Sequence, residues 1–209
     1  MRLTWLGHSC FLLEQDGYTI LLDPYTGVDG YPPLSERGLA VNEILCSHEH
    51  GDHHAVDQAA LLPGGAPSPF TVRTVETFHD GQGGALRGNN TIHILSAGGV
   101  TVAHMGDLGH QLSPEQVQAI GPLDAVLIPV GGFYTIDAAG AKAVCEALNP
   151  TCVVPMHYHH APYGLPVVGG VEDFLALWPE SEVRRLEGPS LEVDKTGRGV
   201  LVPKFCEET

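Results

Sequence analysis

The sequence predicts an α/β fold, with two sheets packed together and helices outside. Three observations predict it. Apolar runs of strand length alternate with helix-length segments, most regularly in the second half. Gly, Pro, Asn and Asp fall between these runs as short turn signals, and neither a linker nor a low-complexity stretch intervenes. The two halves are of similar size, which suggests two sheets packed together. With 209 residues and 43% apolar content, the chain is expected to form one domain over 1–209.

Leu3 to Leu6 and Cys10 to Glu14 read as short strands. Asp16-Gly17 is a two-residue turn into the strand Tyr18 to Leu22, which ends at Asp23-Pro24. Tyr25 to Ala40, punctuated by Gly27, Gly30, Pro32, Pro33 and Gly38, reads as a loop. Glu43 to Ser47 is a strand that runs into His48. Helical turns are expected over His54 to Leu62, then a loop over residues 63–69, an extended segment from Phe70 to Phe78 ending at His79, and a Gly-rich loop from Asp80 to Asn90. Thr91 to Leu95 and Val100 to Ala103 are strands turned by Gly98-Gly99. Ser113-Pro114-Glu115-Gln116 is a capping box with Pro at the first helical position, and Gly121 stops that helix. Asp124 to Val130 is a strand. Asp137 caps an Ala-rich helix to Leu148, ended by Asn149-Pro150. Thr151 to Pro155 is the next strand. A helix over Val171 to Trp178 and strands at Glu182 to Leu186, Leu191 to Val193 and Gly199 to Val202 follow.

Charge narrows the partners. The formal net charge is −15, with only 10 Lys and Arg, and these never cluster. Such a surface repels phosphate backbones, so a small-molecule substrate is expected and a nucleic acid is not. No apolar run reaches the ~18–20 residues that spanning a bilayer requires. The N-terminus enters a strand directly, without a signal-peptide pattern, and a cytoplasmic location is expected. Cys10, Cys46, Cys145, Cys152 and Cys206 are scattered and odd in number, a pattern of small buried or surface thiols rather than of disulfides or a thiolate zinc site. Nothing in the sequence reads out an oligomeric state.

The unusual feature is histidine, at 12 residues. The segment Ser47-His48-Glu49-His50-Gly51-Asp52-His53-His54 places His48, His50, Asp52 and His53 in an H-x-H-x-D-H pattern directly after a buried strand. A lone His at a strand end is usually a hydrogen-bonded structural residue. Several imidazoles packed together leave buried nitrogens that need partners, and a divalent cation supplies one to all of them. Neutral imidazole and carboxylate are its natural N and O ligands.

This motif resembles the signature of the metallo-β-lactamase superfamily. The resemblance continues through Leu6-Gly7-His8-Ser9 and Leu22-Asp23-Pro24, which look like the opening of the branch holding ascorbate-6-phosphate lactonase-like proteins. It extends to Phe78-His79-Asp80, Arg87-Gly88-Asn89-Asn90, His104-Met105-Gly106-Asp107, the Pro129 to Asp137 stretch and Pro155-Met156-His157-Tyr158. It implies a metallo-β-lactamase-like αββα sandwich and two divalent metal ions, zinc first and manganese second. By the resemblance, His48, His50 and His79 hold one ion, Asp52, His53 and His157 the other, and Asp107 bridges them. The residue pattern agrees, since His48, His79, Asp107 and His157 each fall at or just past the carboxyl end of a predicted strand, the edge where α/β folds build sites. His93 and His104 compete with His79 but fall inside strand patterns, where a packed histidine is the simpler account.

Asp23 has two readings of equal weight, an Asp-Pro turn former and a group orienting a ligand through hydrogen bonds. His8, His110, Tyr134, His159 and His160 are candidates for the substrate pocket, each with a structural role as the alternative. His54 reads as a helix start. The resemblance implies a binuclear hydrolase in which a hydroxide, held and activated with Asp52, attacks a small anionic ester or lactone. A phosphodiesterase is the alternative, because the same pair of ions stabilises a phosphoryl transition state. A metal-binding or sensory protein without turnover is the alternative of another class.

Overall fold

The computed structural model describes residues 1–65 and 67–205, so Cys206 lies outside the described residues. The first sheet begins as an antiparallel meander of β1 (Arg2–Gly7), β2 (Cys10–Gln15) and β3 (Tyr18–Leu22), with Leu3 opposite Leu13 and Leu13 opposite Ile20. Alternation sorts the side chains. Leu3, Trp5, Phe11, Leu13, Ile20 and Leu22 enter the main core, while Leu6, Cys10 and Leu21 enter a second cluster with Tyr25, Val28, Tyr31, Leu34 and Val41. The outer face of this sheet is therefore covered by the segment that follows β3, whose apolar residues lie among its turns. That segment leads to β4 (Ala40–Val41) and β5 (Glu43–Leu45), and β5 pairs in parallel with β3.

The expected helical turns over residues 54–62 do not form as a helix. A single 3-10 turn at Val56–Gln58 gives way to β6 (Ala60–Leu61), which pairs in parallel with β4. The backbone takes its hydrogen bonds from elsewhere: Ala55 N–H donates to Pro24 O, Ala60 N–H to Leu39 O and Leu62 N–H to Val41 O. Val56, Leu61 and Leu62 stay exposed, so no apolar stripe existed to dock a helix. His54 is exposed and starts no α-helix.

The second sheet opens with β7 (Thr71–Phe78), β8 (Asn89–Ala97) and β9 (Val100–His104), again antiparallel. Parallel crossovers follow through α1 (Pro114–Ile120), β10 (Ala125–Pro129), α2 (Ala138–Leu148) and β11 (Cys152–Met156). The expected capping box is present: Ser113 Oγ accepts from Gln116 N–H and Gln116 Oε1 accepts from Ser113 N–H. Asp137 caps α2 by accepting from Gly140 N–H. Every residue of β10 and β11 is buried, as parallel strands covered on both faces must be. On one side α2 contributes Ala141, Val144, Cys145 and Leu148; on the other stands the first sheet.

The helix expected over 171–178 is one α-turn, α3 (Glu172–Leu175), continued to Trp178 by tighter bonds such as Leu177 N–H to Phe174 O. Then come β12 (Val183–Arg185), β13 (Ser190–Glu192) and β14 (Gly199–Val202). β13 returns to the first sheet beside β1, giving the order β13-β1-β2-β3-β5, against β12-β14-β11-β10-β9-β8-β7 in the second. The main core joins residues of both sheets, which makes the architecture the expected sandwich of two mixed sheets. Cys10, Cys145 and Cys152 are buried, and they and the half-buried Cys46 are free thiols. No helix among the described residues is long and apolar enough to cross a membrane.

Candidate metal centre

Strand direction decides where the polar residues gather. β1, β3 and β5 run one way through the first sheet, and β7, β9 and β11 run one way through the second. His8 follows β1, Asp23 follows β3, and the loop 48–53 follows β5. His79 follows β7, Asp107 lies just past β9, and His157 follows β11. His8, Asp23 and His157 have positive φ of 50°, 44° and 52°, a region that residues other than glycine seldom adopt. Each turns sharply off its strand end. A bond between the sheets fixes two of them, His157 N–H donating to His8 O at 3.3 Å, while Trp5 Nε1–H donates to the same oxygen at 3.0 Å.

Three groups of donor atoms converge, each with all its atoms within 4.8 Å of one another: His48, His50 and His79; His8, Asp52, His53 and His157; and His48, His53 and Asp107. Asp107 reaches both of the first two. Its Oδ2 lies 3.2 Å from His79 Nε2 and 3.2 Å from His157 Nε2, and its Oδ1 lies 3.2 Å from His53 Nε2. All seven residues expected as ligands are thus brought together, and His8, expected only near a pocket, joins them with its Nε2 3.4 Å from Asp52 Oδ2.

Buried Asp23 sets the orientation of two of the rings. Its Oδ1 accepts from Ser47 N–H at 2.7 Å, and its Oδ2 accepts from Ser47 Oγ–H at 2.6 Å and lies 2.7 Å from His53 Nδ1. Nδ1 therefore carries the His53 proton, and Nε2 presents a lone pair to the centre. The Ser47 hydroxyl hydrogen is spent on Asp23, so Ser47 Oγ accepts from His48 Nδ1–H at 2.9 Å, and His48 Nε2 also presents a lone pair. Of the two readings of Asp23, the geometry carries the orienting one.

Asn90 does comparable work on the other sheet. Its Nδ2 donates to Thr77 Oγ1 and Met105 O, and its Oδ1 accepts from Asp107 N–H at 2.8 Å. Gly106 makes this possible: at φ 55°, a Cβ there would overlap Asn90 Oδ1 and Ser47.

The result is a buried set of polar atoms without hydrogen-bond partners. His48 Nε2, His53 Nε2, His157 Nε2 and Asp107 Oδ1 make no hydrogen bond, although His53 Nε2 and Asp107 Oδ1 face each other at 3.2 Å. Lone pairs held in opposition call for a cation, and the donors are imidazole and carboxylate, so the residues fit divalent metal ions. The protonation energetics agree. Burial lowers the His48 and His8 pKa to about 3 and about 4, which keeps both rings in the neutral ligand form. Burial works against ionised Asp107 too, but His157 and His53 outweigh it and hold the carboxyl well below its usual range. His53 is pushed up despite burial, by Asp107 and Asp23; in the absence of a metal a proton takes the cation's place.

A cavity of ≈ 290 Å³ opens onto these atoms. His50, Asp52, His79 and Asp107 form its floor, and Arg87, Tyr134 and Leu165 its wall. Tyr134 is the one pocket candidate from the sequence that lines it. His110 instead pins the end of β7, its Nε2 accepting from Phe78 N–H at 3.1 Å while its Nδ1–H donates to Gln111 O at 2.8 Å. His159 Nδ1 lies 3.2 Å from Gly164 O, and His160 sits among Trp5, Tyr31, Tyr158 and Tyr163. His93 and His104 are packing residues, with Nε2 atoms 3.0 Å from Cys46 O and 2.8 Å from Ser9 O. Sequence reasoning missed Arg87, Leu165, Ser47 and Asn90 as parts of the site, and also Asp80. The available signal was a polar residue next to a proposed ligand or at a buried strand start, as at Ser47, Asp80 and Asn90.

Known proteins place this arrangement. Residues 2–157 match a family described as the beta-lactamase superfamily domain. A UPF0173 metal-dependent hydrolase of Carboxydothermus hydrogenoformans is 29% identical, over 83% of this chain and 91% of its own. A UPF0173 protein of Pyrococcus furiosus is 32% identical over 76% of this chain and 83% of its own. Among solved structures, a Thermotoga maritima protein described as a zinc-dependent hydrolase of the metallo-β-lactamase superfamily superposes with a TM-score of 0.77 at 34% identity, covering 98% of this chain and 99% of that one. With the strand-end donor cluster, the sandwich and these matches in agreement, the chain belongs to the metallo-β-lactamase superfamily.

Proposed function

We propose that the chain is a hydrolase holding two divalent metal ions, zinc in preference to manganese, and acting on small esters or lactones. The observation that carries the reading is Asp107, whose single carboxylate stands 3.2 Å from a histidine of each three-residue set. His48, His50 and His79 would hold one ion and Asp52, His53 and His157 the other, with Asp107 within reach of both sets. Histidine-rich ligation favours zinc, and the relatives' printed descriptions as metal-dependent or zinc-dependent hydrolases support the reading. When bound, a pair of divalent ions supplies Lewis acidity and a water acidic enough to ionise near neutral pH.

The chain's own residues do the rest. Asp52, 31% exposed at the cavity floor, is the carboxylate that would hold the proton of the reacting water, at Oδ2. His8 Nε2, 3.4 Å away and deeply buried, keeps that carboxylate turned into the centre. Asp23 and Ser47 hold His53 and His48 with Nε2 inward, so the centre needs little rearrangement to form. Tyr134 and Leu165 narrow the cavity to a small substrate. Two dications would outweigh the charges of Asp52 and Asp107, and such a positive centre would favour an anionic or oxyanion-forming substrate.

The test is elemental analysis of purified protein supplied with zinc, joined to an assay panel of aryl esters, lactones and phosphodiesters. Close to two ions per chain and turnover of esters or lactones above phosphodiesters is the expected result. A folded protein that retains no metal would end the reading, and a marked preference for phosphodiesters would replace its substrate class.

A further inference from the structure

We infer that Arg87 is an anchor for a carboxylate on the substrate, so that the preferred ester or lactone carries a carboxylate apart from the bond that is broken. This deepens the hydrolase reading and rests on it for the word substrate; the anchor itself rests on the residues around Arg87.

Arg87 is the one Lys or Arg among the described residues that line the cavity. The protein has 25 Asp and Glu against 10 Lys and Arg, yet among the described residues no carboxylate lies within ion-pair distance of this guanidinium. What holds it is neutral. One Nη donates to Phe133 O at 3.3 Å, and the guanidinium lies over the Tyr134 ring at 5.4 Å. A guanidinium has five N–H donors in a planar fork. Stacking uses its face and Phe133 uses one donor, so an edge stays available for the bidentate pairing that carboxylates make.

The position is also built rather than incidental. Arg87 ends a loop wrapped around one side chain, that of Asp80, which is only 3% exposed. Asp80 Oδ1 accepts from Gln82 and Gly84 N–H at 2.7 and 3.0 Å, and Oδ2 accepts from Leu86 and Arg87 N–H at 2.9 and 2.8 Å. Asp80 directly follows His79, so the residue that closes the loop is tied to a proposed metal ligand. The backbone of Arg87 is thereby fixed relative to the reacting centre, the requirement for an anchor that positions rather than merely attracts. A single guanidinium matches the single charge of a carboxylate. Among the described residues no second Lys or Arg lines the cavity for a phosphate dianion.

The experiment uses the zinc-loaded protein and does not depend on turnover. Calorimetry measures binding of succinate, glutarate and adipate, each against butyrate, to the wild type, Arg87→Gln and Arg87→Lys. Glutamine keeps the backbone N–H that Asp80 holds, so the loop survives the change. The wild type is expected to prefer its best dicarboxylate over butyrate by about tenfold or more, the scale of a charge-assisted pair. Arg87→Gln should abolish that preference at unchanged zinc content, and Arg87→Lys should recover part of it. An aryl hemiglutarate and an aryl butyrate then give a selectivity ratio in kcat/KM, expected to fall about 10–100-fold in Arg87→Gln, mainly through KM. Equal preference in wild type and Arg87→Gln overturns the inference, as does a wild type without preference. Tenfold tighter binding of 4-phosphonobutyrate than of glutarate overturns the carboxylate assignment. Arg87-dependent dicarboxylate binding with neither ester hydrolysed upholds the anchor and sinks the hydrolase reading alone.

Discussion

After β5 the five-stranded sheet presents His48, His50, Asp52 and His53 in one short loop, whereas the seven-stranded sheet presents His79, Asp107 and His157 one at a time from three strand ends. The first set is positioned locally, by one carboxylate: Asp23 holds Ser47, and through it His48, together with His53. The second is positioned by sheet register, with Asn90 tying β8 to the turn that carries Asp107. A loop site can be disrupted by one local change. A register site shares its integrity with the core, because β10 and β11 are wholly buried.

The largest expected effect falls on the local set. Asp52→Asn keeps the shape and one ligand oxygen but removes the charge that holds and activates the nucleophilic water. Turnover should fall by about 10²–10⁴, the range for a positioned acid–base group, at matched metal loading. His48→Ala should instead empty a metal position, visible in elemental analysis. If Asp52→Asn turns over normally with its metals in place, Asp52 is a dispensable ligand. Next comes Asp23→Ala, which releases Ser47 and the His53 ring together. Metal affinity should drop about 10–100-fold, as for other groups that orient ligands, in titration against a competing chelator. Unchanged affinity would mean the loop keeps its shape without its carboxylate.

The register set should fail more gently and differently. Asn90→Ala leaves Asp107 N–H buried without its acceptor, a loss of about 1–3 kcal/mol in urea unfolding, with His48, His50, Asp52 and His53 still able to bind metal weakly. Loss of all metal binding without loss of stability would reverse this ordering of the two sets.

Acid should separate the metal-free from the loaded protein. Burial lowers the folded pKa of His48 and His8 to about 3 and about 4, from 6.5, and lowers that of His79 and His104. Between the folded and unfolded values the unfolded chain binds more protons, so stability falls as pH drops from 6.5 toward 4. His53 acts in a different window: its raised pKa adds stability as pH falls toward 6.5 and adds nothing further below it. The net expectation is a metal-free Tm that declines below pH 6.5, and a larger decline for loaded protein as protons displace metal. A metal-free Tm that rises from pH 6.5 toward pH 5 would mean that burial does not hold these histidines neutral. The smallest expected effect is none at all: no salt-sensitive micromolar binding of RNA or DNA, given a net charge of −15.

The contrast between the sheets also explains what could be read from the sequence. His48 to His53 were legible because their spacing alone forces them together. His79, Asp107 and His157 were legible only as strand ends, with the resemblance deciding among histidines. Asp80 and Asn90 stood next to a proposed ligand and at a strand start, but their roles follow from the fold: Asp80 gathers the backbone N–H groups of its own loop, and Asn90 reaches Thr77, Met105 and Asp107 only once the strands have paired. Arg87 lay inside a quoted motif, yet its role depends on Tyr134 and Phe133, contributed by a distant turn. The turns over 54–62 were misread for a related reason. Ala59-Ala60-Leu61-Leu62 favours a helix intrinsically, but β4 offered its hydrogen bonds first.

β13 pairs with β1, Arg2 lying opposite Glu192, so the sheet that carries the histidine loop is closed by a strand made almost two hundred residues later. During synthesis the first strand therefore waits with an open edge, and His157 is among the later groups to leave the ribosome. A nascent chain already holding His48 to His53 has half of a centre and no second half to trap an ion. On the proposed reading a complete centre therefore forms only after the second sheet has joined the first, on the slow timescale that such sequence-distant closure imposes.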